Sequence, residues 1–250
     1  MIRVGTSGWV YGDWRGRFYP AGVAQRRWLQ FYAERFDTVE LNATTYRLPT
    51  PAQATAWCAN VPPEFKFTVK LSRLITHRRE LPPRLDEFIA NYFARTACFD
   101  PQKLAQILIQ FPPYLKRNDD RLSAFLKKLP VDYRYVVEFR DQSWFEPAVR
   151  DLLASRNIAF CMHDYPKLRV PHWVTRDDLV YVRFHGYAAL YAGSYPRRTL
   201  DRWAKRLAGL ALPGRDVYVY FNNDTAAAAP EDAATLRSLL KETTAYETTL

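Results

Sequence analysis

Only three cysteines occur in the 250 residues, Cys58, Cys98 and Cys161, and they stand far apart. The absence of any CxxC pair argues against a disulfide framework and a cysteine zinc site, and leaves reduced, buried thiols as the expectation. Histidine is scarce as well. His77, His163, His172 and His185 form no HxH or HExxH spacing, so a metal centre has no local signature. The segment after the first strand pattern, SGWVYGDW, is not GxGxxG. A nicotinamide or flavin fingerprint is therefore missing. The longest strand-like apolar stretches run to five or six residues, far short of the ~20 that cross a bilayer. The opening MIRVGTSGW enters a strand pattern directly, without the charged and apolar regions of a signal peptide. These absences predict a cytoplasmic protein with no membrane partner.

What is present suits one large globular domain, taken as residues 1–250: hydrophobic residues make up 48% of the chain and aromatics 15%. Lys and Arg outnumber Asp and Glu by 36 to 26, a formal net charge of +10. That balance favours an anionic partner, nucleic acid or a phosphorylated metabolite. Because the basic residues are spread through RRW, HRRE, LKKL and YPRR with no long run, solubilising the outer helices is the better account of the charge taken alone. Oligomeric state leaves no trace in the sequence.

Eight β-branched or aromatic runs recur, at 2–6, 38–42, 65–70, 105–111, 133–139, 158–163, 179–185 and 216–221. Helix-period segments lie between most of them, at 24–36, 84–98, 118–129 and 199–210, the last with Thr199 as its cap. A final helix opens around Pro230. Strand–helix alternation repeated eight times predicts a single-domain (β/α)8 TIM-barrel-like fold. Pro166 and Pro171 forbid a regular helix in 164–178, so an irregular crossover is expected there.

Polar residues gather at the strand C-termini, where barrel enzymes build their sites. Glu40 and Asn42 end the second strand, with Tyr46 beyond. Lys70 ends the third, and the loop 72–83, a candidate lid, carries His77. Gln110 ends the fourth strand. Glu138, Arg140 and Trp144 follow the fifth, His163 and Asp164 the sixth, Arg183 and His185 the seventh, and Asn222, Asn223 and Asp224 the eighth. Residues two apart on a strand share a face, so Glu138 and Arg140 point the same way, as do Arg183 and His185.

Two chemistries fit. In one, Arg140, Arg183 and Lys70 clamp an anion while Glu40, Glu138 or His185 moves protons; Asn42, Tyr46, His77, Trp144, Tyr191, Tyr195, Asn222 and Asn223 complete the binding surface. In the other, Glu40, Glu138, His163, Asp164 and His185 supply ligands to a divalent metal for hydrolysis or isomerisation. A buried Glu–Arg pair that merely closes the barrel is the structural counterpart of both.

In order along the chain, GTSGWVYGDWRGRFYP, FDTVELNATTY, FKFTVKLSRLITH, QFPP, EFRDQSW, YVRFHG and YFNND together resemble the DUF72 (YecE-like) family. The resemblance runs from residue 5 to residue 224 and implies a TIM-barrel-type fold, but no reaction. It touches Glu40, Asn42, Lys70, His77, Glu138, Arg140, Arg183, His185, Asn222 and Asn223. A fold-level analogy of such barrels to endonuclease IV and xylose isomerase points to DNA repair or sugar chemistry without transferring residue roles. Four histidines are too few for the trinuclear zinc site of the former. The sequence-based expectation is an enzyme, hydrolase or isomerase, acting on a small anionic or nucleotide-like substrate. A nucleic-acid-binding protein and a non-catalytic metabolite-binding scaffold are the alternatives.

Overall fold

Residues 1–247 are described in a computed structural model; 248–250, the end of the expected 1–250 domain, lie outside it. The eight expected strands all form: β1 (Ile2–Ser7), β2 (Thr38–Leu41), β3 (Lys66–Lys70), β4 (Leu104–Gln110), β5 (Tyr135–Glu138), β6 (Ala159–His163), β7 (Leu179–Phe184) and β8 (Asp216–Phe221). They pair in parallel in sequence order, and β8 closes onto β1. The fold is a TIM-barrel-type (β/α)8 barrel. The helices are α1 (Trp28–Ala33), α2 (Pro51–Ala59), α3 (Arg73–Thr76), α4 (Leu85–Thr96), α5 (Asp119–Leu126), α6 (Pro147–Ser155), α7 (Arg197–Leu210) and α8 (Ala228–Glu247). None of the described helices is long and apolar enough to cross a membrane.

The β6–β7 crossover has neither helix nor strand over 164–178, as its prolines require. Helix boundaries depart from expectation in places: the helix expected over 24–36 is α1 alone, preceded by a 3-10 turn at Gln25–Arg27. α7 begins at Arg197, because Pro196 is preset at φ −56° and its carbonyl takes the N–H groups of Thr199 and Leu200. Thr199 therefore lies inside the first turn rather than at the cap.

Strand alternation sorts the core into two layers. Outward residues such as Val39, Phe67, Ile109, Val137, Val182 and Val219 pack against the helices. Inside the barrel, Leu108, Val136, Ala159, Leu179 and Tyr218 fill the lower part. Above them the interior turns polar by steps. The Tyr220 hydroxyl sits 2.5 Å from Thr38 Oγ1 and 2.9 Å from Thr68 Oγ1, and Gln106 donates to Thr68 at 2.6 Å. Tyr181 donates to Glu40 at 2.5 Å. Each step places more charge towards the strand C-termini.

Candidate active site at the barrel mouth

The inward triplets Thr38/Glu40/Asn42, Val136/Glu138/Arg140 and Tyr181/Arg183/His185 climb the barrel wall two residues at a time. Their middle members meet on the axis. Arg183 donates to Glu138 Oε2 at 2.5 Å and to Glu40 Oε1 at 2.7 Å, and Arg140 Nε donates to Glu138 Oε1 at 2.6 Å. Ser7 adds a hydroxyl to Glu40 Oε1 at 2.8 Å. Glu40, Glu138, Arg183 and His185 are all 0% exposed. Burial alone raises a carboxyl, but the Arg183 guanidinium first, then Arg140 and His185, hold Glu138 well below the usual carboxylate range. Two carboxylates and two guanidiniums therefore pair in a buried layer.

His185 sits on this layer in a fixed tautomer. Nε2 faces the ionised Glu138 at Oε1, 3.5 Å away though without hydrogen-bond geometry, which places the neutral ring's one proton on Nε2. Nδ1 is then an acceptor, and the Asn222 amide turns its Nδ2 towards it at 3.2 Å. Burial first, with Arg183 and Arg140 acting against Glu138, keeps the imidazole well below its ordinary pKa and hence neutral. Asn222 Oδ1 in turn accepts from Asn42 Nδ2 at 3.3 Å. The ion-pair layer is thus wired outward through His185 and Asn222 to Asn42.

Above the layer opens a cavity of about 390 Å³, lined by Asn42, Thr45, Tyr46, Lys70, Arg73, His77, Gln110, Arg140, Tyr191, Asn222 and Asp224. Arg140 is held for it from three sides: by Glu138, by the Tyr191 hydroxyl at 3.0 Å and by the Tyr165 ring 4.6 Å from its guanidinium carbon. Lys70 is buried, yet its ammonium makes no hydrogen bond among the described residues. Burial first, then Arg183 and Arg140, lower its pKa to about 7 against the pull of Glu138 and Glu40. Burial, with Lys70, Arg73 and Arg140 acting the same way, lowers His77 to about 4. Burial raises Asp224 to about 7. The neighbouring Tyr11 hydroxyl has one proton, and gives it to the Ser7 carbonyl at 2.5 Å, so Asp224 Oδ1 has no donor among the described residues.

Of the residues anticipated from sequence, Asn42, Tyr46, Lys70, His77, Arg140, Tyr191 and Asn222 come together on the cavity wall. Glu40, Glu138, His185 and Arg183 lie beneath it, where they touch one another rather than the cavity. Three residues stand elsewhere. Trp144 stacks on Phe139 at 4.4 Å and donates its indole N–H to the Leu115 carbonyl at 2.7 Å, outside the barrel wall. Tyr195 donates to Asp164 and accepts from Gly186 N at 2.7 Å. Asn223 donates to Gly193 O at 3.0 Å and Asp232 at 2.7 Å. Each fixes a loop.

The candidate metal ligands do not converge: among the described residues no three His, Cys, Asp or Glu side chains are grouped to hold an ion. His163 accepts from Tyr165 N at 3.2 Å and donates to Phe139 O at 2.8 Å, so both its nitrogens serve the backbone. Burial lowers it to about 4. Asp164 takes His185 N at 2.6 Å and the Tyr195 hydroxyl.

Four wall residues escaped the sequence-based site. Gln110 and Asp224 belong to the strand-end cluster and were within reach of that signal. Thr45 and Arg73 were not: they sit on the short helical turns after β2 and β3, where strand alternation no longer applies.

Known proteins place this architecture. The family model described as "Protein of unknown function DUF72" matches residues 3–249. The UPF0759 protein YunF of Bacillus subtilis is 28% identical over 96% of this chain and 95% of its own length. The UPF0759 protein YecE of Escherichia coli K12 is 27% identical over 63% of this chain and 55% of its own. A crystal structure of a DUF72 family protein from Thermotoga maritima superposes with a TM-score of 0.83 at 29% identity, covering 96% of this chain and 99% of that one. A DUF72 protein from Enterococcus faecalis, at 22% identity and a TM-score of 0.83, repeats the fold. With its barrel closed and its motifs spread from β1 to the loop after β8, the chain belongs to the DUF72 family.

Proposed function

We propose that this protein is an enzyme that binds a small phosphorylated or otherwise anionic substrate in the cavity at the barrel mouth and moves protons there between Lys70 and Asp224. The observation that carries the reading is the buried side chain of Lys70, whose ammonium has no hydrogen-bond partner among the described residues, in a wall it shares with Arg140 and Arg73. A buried cation is costly unless something pairs it, and the ion-pair layer below is already neutral. An anion supplies the missing partner, and the Arg140 fork adds directed donors.

Lys70 and Asp224 both titrate near neutrality, the condition for efficient proton transfer at neutral pH. Glu40, Glu138 and His185 then act as positioning residues: they hold Arg140 and Asn42 rather than exchange protons with substrate. Three free cysteines suit a reducing compartment, and we place the protein in the cytoplasm.

The test is calorimetric titration with inorganic phosphate and phosphate monoesters, followed by an NMR screen of those esters for turnover. Wild-type protein should bind phosphate, and Lys70→Met should weaken it at least tenfold. Unaltered binding in that variant overturns the anion site. Tight binding without turnover of any ester leaves a metabolite-binding scaffold in place of an enzyme.

A further inference from the structure

Cations account for only part of the cavity wall. Three of its residues keep a buried oxygen with no hydrogen-bond partner among the described residues: Asn42 Oδ1, Thr45 Oγ1 and Asp224 Oδ1. An unpaired buried acceptor costs about 1–3 kcal/mol, and folded proteins carry few of them. Two of them, Asn42 Oδ1 and Asp224 Oδ1, only accept, and the Thr45 hydroxyl can do either; such a wall suits a ligand that brings donors.

The amide of Asn42 is not free to turn over and satisfy itself. Its Nδ2 faces two acceptors, Asn222 Oδ1 at 3.3 Å and the Ser7 carbonyl at 3.5 Å. Asn222 is set by His185, whose Nδ1 requires a donor. The chain Glu138–His185–Asn222–Asn42 therefore fixes Oδ1 as the unpaired end of Asn42. The wall is an acceptor where Asn42 and Asp224 stand, and a cation where Lys70, Arg73 and Arg140 stand.

Resting on the anion site proposed above, we infer that the substrate is a phosphorylated polyol: its phosphate lies on Lys70, Arg73 and Arg140, and its hydroxyls donate to Asn42 Oδ1 and Asp224 Oδ1. Hydroxyls fit better than amines, because an ammonium would enter a wall that already carries three cations. The size agrees, since a cavity of about 390 Å³ lies in the range of small-metabolite sites. Asn42 is a specificity-determining residue in this scheme, and His185 positions it.

The experiment compares two probes of equal length and equal charge, glycerol phosphate and n-propyl phosphate, with inorganic phosphate as the reference, by calorimetry on the full chain. Glycerol phosphate should bind at least tenfold more tightly than propyl phosphate. In Asn42→Leu that ratio should fall close to one, with a thermal melt confirming that the variant is folded. In Asp224→Ala, a second and independent variant, it should also fall. Equal affinity of the two esters in wild type overturns the polyol assignment while the phosphate site stands. An undiminished ratio in both variants overturns the roles given to Asn42 and Asp224. If no phosphate binds at all, both the anion site and this inference fall.

Discussion

At the residue scale, the site separates charges that neutralise one another from charges kept for a ligand. Glu138 belongs to the first group. Replacing one partner of a buried ion pair leaves the other uncompensated and costs about 3–5 kcal/mol. Glu138→Gln should therefore destabilise the fold by about that much, measured by denaturant titration at pH 7, and any loss of function will accompany loss of stability. An unchanged midpoint would show that Arg183 and Arg140 do not depend on it.

Lys70 belongs to the second group, and its sign is opposite. A lysine titrates near 10.4 when unfolded, but near 7 here. Between those values the unfolded chain holds a proton that the folded chain has released, so wild-type stability rises with pH across that window. Below pH 7 the penalty is complete. Lys70→Met removes it and should stabilise the protein by roughly 2–4 kcal/mol at pH 6, at about 1.4 kcal/mol per pKa unit and less than the full shift, while phosphate binding weakens at least tenfold.

Anion affinity should fall as pH rises from 7 to 9. Lys70, flanked by Arg183, Arg140, Glu138 and Glu40, gives up its proton as Asp224 becomes charged. A phosphate monoester is already a dianion there, so the ligand contributes no opposing titration. Flat affinity over that range would remove Lys70 from the site. The alternation that pairs Glu138 with Arg140, and Arg183 with His185, is legible in sequence. Depth is not: which inward residue reaches the cavity and which stays under it depends on strand stagger around the closed barrel.

Eight strands were readable at the scale of elements because β-branched and aromatic runs are distinctive. α2 was not, since its buried residues are only Ala54 and Cys58 and they make no stripe. Its capping box was there to be read: Thr50 Oγ1 accepts from Gln53 N at 3.2 Å, and Gln53 Oε1 accepts from Thr50 N at 3.0 Å. α3 is four residues long, too short for any periodicity, yet it starts the 72–83 loop that brings Arg73 and His77 to the cavity.

That loop is braced rather than loose at one point, where the Tyr114 hydroxyl donates to the His77 carbonyl at 2.6 Å. Strand pairing has its own tight place. A Cβ on Gly5 would sit 2.2 Å from the Thr38 carbonyl and 2.9 Å from the Tyr32 hydroxyl, which ties β1 to β2 by accepting from Thr6 N and donating to Thr38 O. Gly5→Ala should cost about 3 kcal/mol or more, since overpacked strands have nowhere to move. A melting temperature within a degree of wild type would mean that β1 and β2 can part at little cost.

For the whole molecule, the net charge of +10 has two destinations that salt can separate. Three cations face the cavity, two of them buried. Many others ride exposed on outer elements, as on α7, where Arg198, Arg202, Lys205 and Arg206 share the solvent face of a helix whose Leu200, Ala204 and Leu207 are buried. Exposed charge acts through counterion release, so nucleic-acid affinity carried by it falls as a power of the salt concentration, a thousandfold or more between 50 and 200 mM for six or more phosphate contacts. A phosphate held by Arg140 and Lys70 is shielded by the protein and is screened far less. Titrating wild type and Lys70→Met with a short duplex and with glycerol phosphate at both salt concentrations distinguishes the two. Duplex binding should be steep in salt and indifferent to the substitution; glycerol phosphate binding should be shallow in salt and weakened at least tenfold by it. If duplex binding also disappears in Lys70→Met, the mouth itself is the nucleic-acid site, and the small-molecule reading gives way to it.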